Sequence, residues 1–188
     1  ASLHPPLAET MHLPGLKRFI YVSSLTTIGR PAGRDRSEPW PRLADERDRY
    51  DLVRASSPYF AMKAEMEAEA TRAAVEGMPV VIGNPSLCVD AYDPTPTTGK
   101  LLVAVAQRRM PVYLPGVMNV VATRDVGEAL VNAAVLGRTG QRYILGGDNT
   151  TAREFLGLVA RIAGVPPPRV PVPIPLAEAM AYASEVVS

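Results

Sequence analysis

Apolar and polar residues fall in short blocks along this chain, and the blocks alternate between two periods. Lys17-Arg18-Phe19-Ile20-Tyr21-Val22-Ser23 is an apolar run rich in β-forming residues. It predicts a buried strand of the kind found in a parallel sheet. Residues 25–56 carry Gly, Pro and many charges with little period, which predicts a long loop. Loops of that length in a compact domain tend to be functional. Ser57-Pro58 predicts a helix start, because serine caps well and proline suits the first helical position. From Tyr59 to Val75 the chain is dominated by Ala, Glu and Met, strong helix formers, and Gly77 is placed to end the helix. Pro79-Val80-Val81-Ile82-Gly83 predicts a second buried strand.

The rhythm continues to the C-terminal end. Gly99 to Arg109 predicts a helix with Leu101, Leu102, Val105 and Ala106 on one face. Met118 to Ala122 predicts a strand, and Thr123 caps a helix running to Leu136. Arg142 to Leu145 predicts another strand, closed by Gly146-Gly147. Thr151 and Glu154 stand at the spacing of a capping box, opening a helix to Ala163. Pro166, Pro167 and Pro168, with Pro171, Pro173 and Pro175, predict an extended linker before a last apolar helix from Leu176. No internal repeat is present. Alternating strands and helices predict an α/β fold with a mostly parallel sheet.

Composition narrows the classes. A chain of 188 residues has room for one domain with a real core, or for one domain and part of a second. Net charge is +1, with 20 basic and 19 acidic residues, so no electrostatic ground exists for a nucleic-acid or anionic-membrane partner. Cys88 is the only cysteine, which excludes an intrachain disulfide and fits a reducing compartment. His4 and His12 are the only histidines, and no metal site is expected. No apolar run reaches the roughly 18 residues a membrane helix needs. The expectation is a soluble, cytoplasmic protein.

Candidate chemistry centres on Tyr59 and Lys63. Four residues apart on a helix, they share one face. A free phenol is a poor acid or base at neutral pH, and an ammonium beside it favours the phenolate. Such a pair can move a proton to or from a substrate hydroxyl or carbonyl. The chain uses seventeen arginines against three lysines, so a lysine here is informative, since ammonium and guanidinium are not interchangeable. Ser24 stands just past the C-terminal end of the first strand, the edge where open α/β sheets bind ligands. It either orients a substrate oxygen or, with Ser23, merely ends the strand.

Several segments together resemble the extended short-chain dehydrogenase/reductase family of NAD-dependent epimerases and dehydratases. They are Lys17 to Ser24, Ser57-Pro58-Tyr59-Phe60-Ala61-Met62-Lys63, Val80-Val81-Ile82-Gly83-Asn84-Pro85, Arg124-Asp125-Val126, and Arg142 to Gly147, in family order. Residues 94–100 and 146–149 look closest to the branch of nucleotide-sugar epimerases and dihydroflavonol-reductase-like proteins. The resemblance implies an incomplete Rossmann-like, doubly wound parallel sheet over residues 1–86 and part of a smaller substrate lobe over residues 87–188. It implies NAD or NADP as cofactor, with Tyr59 transferring a proton, Lys63 binding the nicotinamide ribose, and Pro85 and Ser86 flanking the nicotinamide. Ser24 would orient the substrate oxygen and Asn84 would contact the substrate, a nucleotide-sugar or similar hydroxyl or ketone compound. It also implies a homodimer through the Tyr59/Lys63 helix.

The sequence departs from the family at Met62, where many relatives have Ser or Thr, and at Cys88-Val89-Asp90. None of its fourteen glycines forms the Gly-x-x-Gly-x-x-Gly turn that holds a pyrophosphate. The chain therefore reads as a fragment or ordered part of a longer enzyme, or as a binding or regulatory module that has lost turnover. Other groups read structurally. The charged run around Asp45, Glu46, Asp48 and Asp51 is a solvated loop rather than a metal site, and Met62 and Met66 are packing residues. Arg108 and Arg109 suit a helix end. Asp125 orders a helix start, and Cys88 is a packed apolar residue.

Overall fold

A computed structural model describes residues 14–29, 43–50, 58–91, 98–173 and 175–176. His4, His12, Asp51, Ser57, residues 94–97 and the helix expected beyond Leu176 lie outside the described residues. The chain divides into two compact units, residues 1–86 with 123–146, and residues 87–122 with 147–188. Residues 123–146 belong to the first unit because their strand joins its sheet.

The first unit is built on three parallel strands, β1 (Phe19–Val22), β2 (Val80–Pro85) and β6 (Arg142–Leu145), in the order β1-β2-β6. β2 is central and buried almost throughout, which is why its sequence is a continuous apolar run. Its side chains alternate between two helices. Val80 and Ile82 pack with Ala70, Ala73 and Met78 against helix α1 (Pro58–Val75). Val81 and Gly83 turn the other way, toward helix α3 (Thr123–Leu136): a Cβ at Gly83 would come within 2.9 Å of Leu130, and one at Gly137 within 2.8 Å of Val81. Helices thus cover both faces, as expected of a doubly wound sheet. Each fully buried Val or Ile in β2 contributes about 1.5–3 kcal/mol relative to exposure.

α1 meets the sheet through small residues. Ala70 and Ala73 are completely buried, so the helix lies close on β2. The helix stops as the sequence predicts. Gly77, at φ +101°, donates to the Ala74 carbonyl (3.2 Å), and Met78 donates to that of Ala73 (2.9 Å). That is a Schellman closure, with Met78 and Ala73 in apolar contact.

The second unit holds two smaller sheets. β3 (Leu87–Val89) runs parallel to β5 (Val117–Ala122), which pairs antiparallel with β7 (Asp148–Thr151). β4 (Val112–Tyr113) pairs with β8 (Val170–Pro171), a short parallel bridge inside the stretch expected to be only a linker. Helices α2 (Thr98–Ala106) and α4 (Ala152–Ile162) share a core of Val105, Phe155, Leu156 and Ala160. The Thr151/Glu154 capping box is present in full. Among the described residues no helix is long and apolar enough to cross a membrane, and no group of three or more His, Cys, Asp or Glu could hold a metal ion.

Candidate functional site

Parallel strands bring their C-terminal ends to one edge of the first sheet. Val22 pairs with Gly83, and the Ser23 amide donates to the Gly83 carbonyl at 2.8 Å. Ser24 therefore leaves β1 level with Asn84 and Pro85 of β2. Leu25–Thr27 then form one turn of 3₁₀ helix, capped by Ser24 in extended conformation. Ser24 Oγ accepts from the Thr26 amide at 3.3 Å and from the Thr26 hydroxyl at 3.0 Å. A hydroxyl has two lone pairs and one proton. The Thr26 amide takes one lone pair, and the contact between the two hydroxyls fixes Ser24 Oγ at the strand end.

Tyr59 and Lys63 lie on the first turns of α1, as expected. Lys63 Nζ sits 6.0 Å from the centroid of the Tyr59 ring. Tyr59 is 52% exposed. Its ring packs edge-on against Phe60, which in turn meets Tyr50 at 90°. Tyr21 on β1 is a poor proton-transfer candidate. Burial, then the charges of Glu67 and Glu69, push its phenol above the ordinary value. Pro85 and Ser86 end β2 half-buried, and the Ser86 amide is spent on the Leu145 carbonyl at 3.1 Å.

Asn84 has a different setting. Following Val80 and Ile82 onto the α1 face, its side chain is fully buried. Its amide nitrogen lies 2.6 Å from Glu67 Oε2, 2.9 Å from Thr27 Oγ1 and 3.1 Å from the Ser24 carbonyl. Glu67 also accepts from the Thr27 hydroxyl at 2.6 Å and pairs with Arg142 Nε at 2.8 Å. Arg142 donates onward to the carbonyls of Thr27 (2.9 Å) and Asp48 (2.9 Å). Burial pulls the Arg142 guanidinium below its ordinary value, against the opposing pull of Glu67.

Sequence reasoning did not single out Thr27, Glu67 or Arg142. One signal was available: Glu67 falls three and six residues before Ala70 and Ala73, on the buried stripe of α1. The charged run at 43–50 is also more than a solvated loop. Glu46 Oε1 accepts from the Ile144 amide at 3.0 Å, capping the outer edge of β6. Cys88 lies in β3, and burial raises its thiol, which disfavours a thiolate nucleophile. Asp125 stands in the first turn of α3.

Residues 3–155 match the family model for the NAD dependent epimerase/dehydratase family. A Synechocystis sp. protein that bears a dihydroflavonol 4-reductase name is 33% identical over 178 residues, covering 92% of this chain and 50% of that protein. Sterol demethylase protein B of Methylococcus capsulatus is 29% identical, covering 93% of this chain and 51% of its own length. A nucleoside-diphosphate-sugar epimerase structure from Pseudomonas aeruginosa superposes with a TM-score of 0.79 at 30% identity, over 90% of this chain and 54% of that one. The chain spans about half the length of the relatives it matches.

Proposed function

This chain belongs to the NAD dependent epimerase/dehydratase family, and from that premise we propose that it carries the proton-relay half of an NAD(P)-dependent epimerase or oxidoreductase. The substrate class is a nucleotide-sugar or similar hydroxyl or ketone compound. The observation that carries this reading is the open pair on α1, Lys63 Nζ 6.0 Å from the Tyr59 ring centroid, on the strand-end side where Ser24 caps its turn.

The residues present fit one end of a dinucleotide. Lys63 offers three donors for ribose hydroxyls, and the β2 terminus at Pro85 and Ser86 offers a backbone ledge for the nicotinamide. The pyrophosphate has no glycine-rich turn to receive it among these 188 residues. When bound, NAD(P) supplies acceptance and return of a hydride. The protein's own part is positional and protonic. Ser24 donates to the substrate oxygen and fixes it. Tyr59 takes or gives that oxygen's proton. Lys63 keeps a positive charge beside the phenol as its proton moves. The same reading includes a homodimer through α1, whose Met62 and Met66 are exposed.

A second reading is a non-catalytic binding or regulatory module with this fold. Titration with NADH and NADPH, followed by fluorescence, separates the two. The longest natural open reading frame that contains this chain should bind one of them, and failure to bind either refutes the enzyme reading.

A further inference from the structure

Four side chains from four separate segments meet behind the Ser24 turn. They are Thr27, 3% exposed, Glu67 on α1, 6%, Asn84 on β2, 0%, and Arg142 on β6, 8%. Removing a carboxylate and a guanidinium from water costs several kcal/mol per ion, and a well-packed apolar group of the same volume often does as well for stability. The cluster therefore calls for an explanation beyond holding the fold together.

Its wiring supplies one. Glu67 Oε2 takes the Asn84 amide and the Thr27 hydroxyl, each at 2.6 Å. Asn84 has a second N–H for the Ser24 carbonyl at 3.1 Å, and the single Thr27 hydroxyl proton is shared between Glu67 and that same carbonyl, 2.8 Å from Oγ1. Arg142 closes the ring by pairing with Glu67 Oε1 and donating to the Thr27 carbonyl at 2.9 Å. The backbone of Ser24 is thus gripped by groups that are themselves gripped by one carboxylate. That carboxylate stands one turn from Lys63 and roughly 12 Å along the helix from Tyr59, at about 1.5 Å per residue. Glu67 is fixed on the helix that bears the relay, and through it the Ser24 turn is referred to that helix.

We propose that Glu67, Asn84, Thr27 and Arg142 form a positioning network that sets the Ser24 turn against the Tyr59–Lys63 helix. The inference rests on the reading of Ser24, Tyr59 and Lys63 as the proton relay. None of the four touches the reacting atoms. They act through the Ser24 carbonyl and the Thr27 backbone, and Asn84 serves here rather than as a substrate contact. A misplacement on the order of 1 Å in such a group can cost about a hundredfold in rate.

Thr27 is the gentlest place to test this, because Thr27→Val keeps the shape and removes the hydroxyl while Thr27→Ser keeps the hydroxyl. Both variants are made in the longest natural open reading frame, with Tm measured first. In Thr27→Val, kcat should fall about tenfold or more while KM and NAD(P) affinity stay within about twofold. Thr27→Ser should recover most of the rate. Independently of turnover, amide hydrogen exchange at residues 24–28 should quicken about tenfold in Thr27→Val, with the β2 core amides unchanged. Unchanged exchange at 24–28, or an equal rise across the whole sheet, would overturn the network's positioning role. A wild-type protein without turnover would refute the enzyme reading instead, leaving the exchange result to decide the network.

Discussion

Arg142 Nε lies 2.8 Å from Glu67 Oε1, with the two side chains 5% and 8% exposed. This ion pair joins β6 to α1 beneath the carboxyl edge of the first sheet. Because both charges are buried, each depends on the other. Arg142→Met alone should destabilise the protein by about 3–5 kcal/mol, since it strands the Glu67 charge. The double variant Arg142→Met with Glu67→Leu should cost clearly less than the sum of the single changes. Chemical denaturation of all four proteins in a double-mutant cycle checks this, and strict additivity would contradict the pairing.

Gly29 should tolerate no side chain. It has φ +76°, and a Cβ there would lie 2.1 Å from the Arg49 carbonyl oxygen and 2.7 Å from the Tyr50 nitrogen. The obstacle is backbone, which cannot swing aside as a side chain would. Gly29→Ala should lower stability by about 2 kcal/mol or more, through left-handed strain and displacement of the 43–50 segment. Thermal unfolding measures it. The neighbouring Glu46–Ile144 contact should loosen too, visible as faster exchange of the Ile144 amide.

Arg108 presents the opposite case. It closes α2 at φ +58°, donating to the Val105 carbonyl at 2.9 Å, while Arg109 donates to that of Ala104 at 2.8 Å. This is the same closure that Gly77 and Gly164 provide elsewhere, here built on a residue with a Cβ. Arg108→Gly should stabilise the protein by about 0.5–1 kcal/mol. A lower Tm in that variant would mean that the guanidinium makes a contact worth more than the strain.

The capping box at the start of α4 carries a pH signature. The Thr151 hydroxyl and amide, both bonded to Glu154, hold its carboxyl below the ordinary 4.5. The folded value is depressed, so the stabilisation is fully present above about pH 4.5 and fades as pH falls through the folded value. The Tm difference between wild type and Glu154→Ala should therefore be constant near neutrality and shrink below pH 4.5. A difference that grows in acid would contradict this.

The strands legible in the sequence were runs of β-forming residues. Phe19–Val22, Val80–Pro85, Val117–Ala122 and Arg142–Leu145 show this, and Val80–Pro85, buried almost throughout, is the most continuous apolar run. Asp148–Thr151 was not legible, since its residues are polar and its strand exists by antiparallel pairing with Val117–Val120. Val170-Pro171 was hidden among prolines and is held by two partners far away in sequence. The proposed relay residues Ser24, Tyr59 and Lys63 were visible because a local spacing on one helix and a strand end defined them. Glu67, Thr27 and Arg142 were not, because their roles arise only when segments 40 to 115 residues apart meet.

The central claim is that Tyr59 moves the proton. The most direct measurement is steady-state kinetics of Tyr59→Phe beside wild type, in the longest natural open reading frame, on a panel of nucleotide-sugars and small hydroxy or keto compounds with NAD or NADP. The variant should lose about 10²–10⁴ in kcat while its cofactor affinity changes by no more than about twofold. Turnover by Tyr59→Phe at the wild-type rate would contradict the account.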